Sequence, residues 1–241
     1  MSADPIASCL PAIAAHLEAV RPAVGGAMTG LRERDLASAV HAELARHLET
    51  TVVATVMPFP SWPRLGRSGT DFVAQDPPGS RSFRHVGELK WCQVGLDKIV
   101  EAIWDLFKMA LAVRDADVQT AHLITGAPEQ MWPNAFCADL FLGGVFTPEE
   151  LCSRRFAGGR KRLAWDYMLD GGYDRYPDVV PTRITTIPVR EPIRVGADGN
   201  PVWELRAIRV ESSGDDVPFP GGWPNGSRPP DADHPKLSEG E

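Results

Sequence analysis

Two carboxylates and one ammonium group are spaced so that a β-sheet would bring them together. Glu88 and Lys90 stand two residues apart in the apolar run Phe83–Cys92, and Asp71 lies upstream in the short apolar segment Gly69–Val73. Side chains of a strand alternate between its faces, so Glu88 and Lys90 would project to the same side. If the two segments pair, Asp71 joins them on one patch. That patch suits a divalent cation of the magnesium class, which can supply a bound water as nucleophile.

The segments around these residues have alternating helix and strand patterns. An apolar stripe of helical period starts at Leu31, and a long amphipathic helix is predicted over Asp97–Asp115, with Asp105 and Lys108 off its apolar stripe. Further strands are predicted at residues 51–56 and 118–125, where β-branched and apolar residues cluster. The predicted order from Leu31 onwards is therefore helix, three strands, helix and strand.

A carboxylate in one strand followed by Glu-x-Lys in the next resembles the signature of the PD-(D/E)XK nuclease superfamily, the restriction-endonuclease-like fold. Asp71 and Glu88-Leu89-Lys90 carry the resemblance, and the predicted element order agrees with that family's core between Leu31 and Thr125. The resemblance implies a metal-dependent nuclease, with DNA favoured over RNA as substrate. In it, Asp71 and Glu88 would ligate Mg²⁺ or Mn²⁺, and Lys90 would orient or activate the attacking water.

The same resemblance singles out two further residues and contains one departure. Glu43 matches an acid that many members place on the first core helix, and Gln93 resembles a polar residue that follows the lysine in several branches. Thr70 stands where the family name has proline. Glu43 and Gln93 extend the candidate site, but they do not identify a branch of the superfamily.

Other interpretations of the pattern remain open. A Glu-x-Lys triplet is also typical of an ion pair on an exposed sheet face, without any catalytic role. A catalytically inactive protein on the same fold would act by binding, for example as a partner protein in a defence or toxin-related system. A third alternative is an unrelated α/β domain in which Asp71 and Glu88 lie far apart.

The overall prediction is an α/β protein with a mixed central sheet flanked by helices. Residues 1–29 are predicted to be a helical extension, residues 30–126 the nuclease-like core, and residues 127–211 an extension with short helices and a β-hairpin packed on the core. The hairpin would join Arg183–Arg190 to Val202–Glu211. Residues 212–241 are rich in Gly, Pro, Asp and Ser and are predicted to be a flexible acidic tail.

The formal net charge of −7 is unevenly distributed along the chain. From Glu211 to Glu241 there are seven acids and two bases, so the rest of the chain is nearly neutral. Nucleic-acid binding is therefore neither favoured nor excluded by charge. The strongest basic cluster is a candidate phosphate-binding surface and consists of Arg154, Arg155, Arg160, Lys161 and Arg162.

Composition also limits the compartment and the kinds of partner. The four cysteines are scattered without metal-ligand spacing, which disfavours a zinc site or a disulfide framework. No apolar run is long enough to cross a bilayer, and the N-terminus lacks the pattern of a secretory signal. We therefore expect a cytoplasmic protein that acts on nucleic acid or a protein partner, not on membranes. A homodimer is left open.

Overall fold

Strands rich in β-branched and apolar residues form a mixed eight-stranded sheet with helices on both faces. The computed structural model describes residues 4–24, 28–56, 69–75, 83–92, 97–115, 118–134, 138–152, 177, 179–196 and 202–219. The helices are α1 (Pro5–Val20), α2 (Glu33–Leu48), α3 (Asp97–Asp115) and α4 (Pro148–Cys152). The strands are β1 (Val52–Val56), β2 (Gly69–Gln75), β3 (Phe83–Trp91), β4 (Thr120–Pro128), β5 (Gly144–Phe146), β6 (Val179–Pro188), β7 (Ile193–Val195) and β8 (Trp203–Pro218).

The strands are arranged in the order β1-β2-β3-β4-β8-β6-β5, and β7 pairs with β8 beside this path. Strands β3 and β4 are parallel, whereas the other neighbours are antiparallel. A parallel pair needs a crossover, and α3 is the helix that connects β3 to β4. The predicted mixed sheet flanked by helices is confirmed, as is the order helix, three strands, helix and strand.

Two apolar cores cover the two faces of the sheet. Helices α1 and α2 pack against each other and against one face, where Leu36 and Val40 of α2 belong to the same apolar core as Phe72 of β2. Helix α3 lies on the other face, in contact with β3, β4, β6 and β8. Strand alternation places Val73 and Val86 in this second core, and residues of the same parity as Val86 on β3 therefore face α3.

Residues beyond 126 form part of the main sheet and do not merely pack on a finished core. The two segments predicted to form a hairpin, Arg183–Arg190 and Val202–Glu211, correspond to β6 and β8, which pair antiparallel. They are not joined by one turn, because the short strand β7 lies between them in the chain and also pairs with β8. Strand β8 pairs with β4 as well. The prediction of a flexible tail from residue 212 is wrong for its first part, because β8 continues to Pro218 and pairs with Val179 there. Residues 220–241 of the predicted tail lie outside the described residues.

A glycine in β4 allows two tryptophan rings to meet across the sheet. Trp91 of β3 and Trp203 of β8 stack with ring centroids 4.4 Å apart, although β4 runs between their strands. A Cβ atom on Gly126 would lie 2.2 Å from the Trp91 ring. Any larger residue at position 126 would therefore displace the Trp91 side chain. Gly126 therefore fixes the packing of the α1 and α2 face at the end of β3 that carries Lys90.

Three of the four cysteines lie among the described residues. Cys9, Cys92 and Cys152 are free and buried, and burial raises the pKa of the Cys9 thiol to about 11. A thiol in that environment is a poor nucleophile at neutral pH. Among the described helices, none is long and apolar enough to cross a membrane.

Candidate active site

Strand pairing brings the two predicted carboxylates to the same patch of the sheet. Phe72 of β2 lies opposite Gly87 of β3 in the antiparallel register, so Asp71 and Glu88 are the next residues along the two strands. Beyond this pair a side chain, not the backbone, accepts the hydrogen bond from β3: the Leu89 N–H donates to Asp71 Oδ2 at 2.7 Å. The Asp71 side chain is thus fixed by the backbone of the strand that carries Glu88 and Lys90.

Helix α3 adds a second acid and a second base to this patch. Lys90 Nζ lies 3.0 Å from Asp105 Oδ2, and Lys108 Nζ lies 2.5 Å from Glu88 Oε1. The two motif residues of β3 therefore each have a partner of opposite charge on α3. All four side chains are buried, with exposed fractions of 3% for Glu88, 8% for Lys90, 3% for Asp105 and 4% for Lys108. We call these four residues the buried quartet.

Two further residues among those described lie near Lys90 or act on its charge. Thr125 of β4 is in register with Lys90 in the parallel pair, and its buried hydroxyl has no hydrogen-bond partner among the described residues. Glu33, in the first turn of α2, is close enough for its carboxylate to raise the pKa of Lys90. Among the described residues, Lys90 is therefore influenced by side chains of α2, α3 and β4.

Burial and charge shift the pKa values of the two motif residues in the same direction. Burial raises the pKa of Glu88 well above its usual value, and the carboxylates of Asp105 and Asp71 raise it further, which outweighs the effect of the Lys108 ammonium. Burial alone would lower the pKa of Lys90, but the carboxylates of Asp105, Glu88 and Glu33 raise it above its usual value. The patch is therefore rich in negative charge, and Lys90 stays protonated at neutral pH.

The donor set offers two carboxylate ligands that could hold a hard divalent cation in part. Asp71 and Glu88 provide carboxylate oxygens, and the neighbouring acids that help to raise the pKa of Glu88 leave an excess of negative charge that a cation would relieve. Among the described residues, no three His, Cys, Asp or Glu side chains are grouped closely enough to enclose a metal ion. Mg²⁺ is commonly held by one or two carboxylates and completed by waters and substrate phosphates, so two ligands suffice for it.

Of the other predicted site residues, Glu43 is the one among the described residues, and its contacts lie away from this patch. Glu43 lies on α2 and accepts two hydrogen bonds from Arg46, and its other oxygen lies 3.6 Å from His16. These contacts hold it between α1 and its own helix, and the α2 acid that acts on Lys90 is Glu33. Gln93 lies outside the described residues, as do the basic residues Arg154, Arg155, Arg160, Lys161 and Arg162.

Asp105 and Lys108 were missed as site residues because they were predicted to lie off the apolar stripe of α3. The structure buries every residue from 102 to 112, so this part of α3 has no solvated face. One signal in the sequence was available: an acid and a base stand three residues apart among Ala102, Leu106, Met109 and Ala112. Charged residues at this spacing share one helix face, and within an apolar helix they need partners.

Comparisons with known proteins do not place this chain in a family. No protein-family model matches the sequence, and no curated protein or solved structure is significantly similar to it. Functional inference therefore depends on the geometry of the buried quartet and its surroundings.

A second buried ionisable cluster lies on the opposite face of the sheet. His122 of β4 is fully buried, and its Nε2 lies 3.0 Å from Asp4 Oδ2. Asp4 also caps α1, since its other carboxylate oxygen accepts hydrogen bonds from the Ile6 and Ala7 N–H groups. Arg209 of β8 approaches Asp4 Oδ2 at 3.8 Å. The contacts attach the start of α1 to two central strands, which is a structural role.

Replacing Asp4 by asparagine tests this attachment, because asparagine still caps a helix but carries no charge. Burial raises the pKa of Asp4, but the hydrogen bond and charge of His122 and the α1 N–H groups lower it below its usual 3.8. The carboxylate therefore stabilises the fold above pH 3.8, and this contribution is lost as the pH falls through the lower folded pKa. We expect Asp4→Asn to cost about 2 kcal/mol at pH 7.

Urea unfolding of both proteins between pH 2 and 7 measures the effect. The difference in free energy of unfolding between wild type and Asp4→Asn should shrink towards the acidic end. A difference that stays constant over this range would show that the charge of Asp4 does not contribute.

Proposed function

We propose that the chain is a metal-dependent nuclease that hydrolyses phosphodiester bonds, with DNA as the expected substrate, on a restriction-endonuclease-like core. The observation that supports this best is the convergence of Asp71, Glu88 and Lys90 on one face of two paired strands. Phosphodiester hydrolysis requires stabilisation of charge on the phosphate and a positioned water. A patch with two carboxylates and a protonated lysine offers residues for both requirements.

The residues divide these tasks by their charge. Asp71 and Glu88 would hold Mg²⁺ or Mn²⁺, which when bound supplies positive charge at the phosphate and lowers the pKa of a bound water. The pKa of Lys90 is raised, so Lys90 would act as a cation that donates hydrogen bonds to a phosphate oxygen, not as a general base. Asp105 contacts Lys90 at 3.0 Å and would orient it. Asp105 is thus a positioning residue.

The experiment that tests the proposal is a cleavage assay on duplex DNA, single-stranded DNA and RNA, with Mg²⁺ or Mn²⁺ added to metal-free protein. We compare wild type with Asp71→Asn/Glu88→Gln, in which the amide oxygen introduced at position 71 can still accept the hydrogen bond from the Leu89 N–H. Wild type should cut in a metal-dependent manner, and the double variant should lose at least about a hundredfold in rate. Equal cleavage by both proteins would refute the assignment of the site.

A non-catalytic binding role is the second candidate, and one observation favours it. In the structure Glu88 and Lys90 already have partners of opposite charge, so the quartet is electrostatically paired without a cation. A protein in which these four charged residues serve only to stabilise the fold would show the same ion pairs. This alternative predicts no cleavage and no metal affinity in wild type, together with metal-independent association with a protein partner.

A further inference from the structure

Lys108 is the residue of the buried quartet that the proposed reaction does not use. It lies one turn after Asp105 on α3, and its ammonium lies 2.5 Å from Glu88 Oε1. It also donates a hydrogen bond to the Gly69 carbonyl oxygen at 3.0 Å. The side chain therefore bridges the start of β2 to the motif acid of β3, from the helix above them.

Both ion pairs of the buried quartet connect β3 to α3, and neither forms within one element. Glu88 and Lys90 lie two residues apart on one face of β3, and Asp105 and Lys108 lie three residues apart on α3, so each element could pair its own charges. Instead, Lys90 pairs with Asp105 and Lys108 pairs with Glu88. The motif acid is thus engaged by an ammonium from a different element of the fold.

An ammonium group and a divalent cation cannot share that carboxylate oxygen without a large cost. Mg²⁺ binds carboxylate oxygens at about 2.0–2.1 Å, and two positive charges that close repel strongly in a site with little water. The Lys108 ammonium, at 2.5 Å from Glu88 Oε1, occupies the space where such a cation would approach. Cation binding at this oxygen therefore requires Lys108 to withdraw.

We propose that Lys108 is an internal competitor for the divalent-cation site: its ammonium holds Glu88 until a cation of the magnesium class displaces it. The released side chain remains near the Gly69 carbonyl, and Asp105 stands one helical turn away, so the displaced charge keeps polar neighbours. The inference rests on the proposed function, since it assumes that Asp71 and Glu88 bind the cation. It adds that the affinity of the substrate-free protein for the divalent cation is set by competition between the cation and the Lys108 ammonium at Glu88.

The test measures binding of Mn²⁺ and Mg²⁺ alone, by calorimetric titration and by the shift in melting temperature, without any activity assay. The variants are Lys108→Met, which removes the charge, and Lys108→Gln, which also keeps a donor towards Glu88 and Gly69 and tests the proposal if the methionine protein does not fold. Lys108→Arg keeps the positive charge and is the matched control. Glu88→Gln/Lys108→Gln removes the proposed ligand.

The neutral variants should bind Mn²⁺ at least about tenfold more tightly than wild type, because the competing charge is gone. Lys108→Arg should show no such gain, and the double variant should lose the binding. Equal affinity in wild type and Lys108→Gln would overturn the competition and leave the metal site in place. Absence of binding in wild type and in both neutral variants would overturn this inference and the metal dependence of the proposed function together.

Discussion

Lys90→Met is expected to lower the rate of metal-dependent phosphodiester cleavage by a factor of about 10²–10³, the usual effect of removing one donor that stabilises transition-state charge. The reason is that the Lys90 ammonium is a permanently charged group at the patch, since Asp105, Glu88 and Glu33 raise its pKa. Methionine has a similar stem but no charge. The measurement is the single-turnover cleavage rate at saturating metal.

The single variant leaves the Asp105 carboxylate buried without its partner, so loss of activity could reflect loss of fold. Lys90→Met/Asp105→Asn is the matched control, because it removes both charges of the pair. This double variant should fold and remain as inactive as Lys90→Met, and its affinity for Mn²⁺ should persist. Cleavage at the wild-type rate in either variant would contradict the role assigned to Lys90.

Asp105→Asn is expected to destabilise the protein by about 3 kcal/mol, which is typical of breaking a buried ion pair by removing one partner. Lys90 and Asp105 are both almost fully buried, so the remaining ammonium would stay away from water in the folded state. Because the pKa of Lys90 is raised above 10.5, the stabilisation by the pair is complete at neutral pH and is lost as the pH rises through the folded pKa.

A double-mutant cycle in urea isolates the pair from other effects of each substitution. The cost of Lys90→Met/Asp105→Asn should be smaller than the sum of the two single costs, since the second substitution removes the charge that the first left unpaired. A coupling free energy of about 2 kcal/mol is expected. Additive costs would show that the two side chains do not interact in solution, despite their 3.0 Å separation.

Local alternation was enough to predict the face shared by Glu88 and Lys90, because a two-residue period depends only on the strand itself. The pairing of β2 with β3 entered the prediction only as a condition, and the structure meets this condition. The position of Asp71 beside Glu88 required only that pairing, with Phe72 opposite Gly87. These parts of the arrangement were therefore accessible from neighbouring stretches of sequence.

The contribution of α3 could not be predicted in the same way. Its apolar stripe identified one packed side, but the helix also contacts β6 and β8, whose residues lie far along the chain. Those contacts bury the rest of residues 102–112 and make Asp105 and Lys108 internal. On α2 the resemblance selected Glu43, whereas the acid that acts on Lys90 is Glu33, in the first turn. Tertiary packing decides which turns of a helix contact the sheet, and the periodicity of the sequence does not predict that packing.

The pairing of β4 with β8 has a consequence for how the chain acquires its fold. Ala121 pairs with Val210, so half of the ladder of a central strand is supplied by residues synthesised much later. Contacts of such high sequence separation slow folding, because the entropy of closing the loop must be overcome before they form. A nascent chain that has emerged only as far as β4 exposes an open, apolar strand edge. Until β8 has been synthesised, this unpaired edge is open to non-native strand pairing.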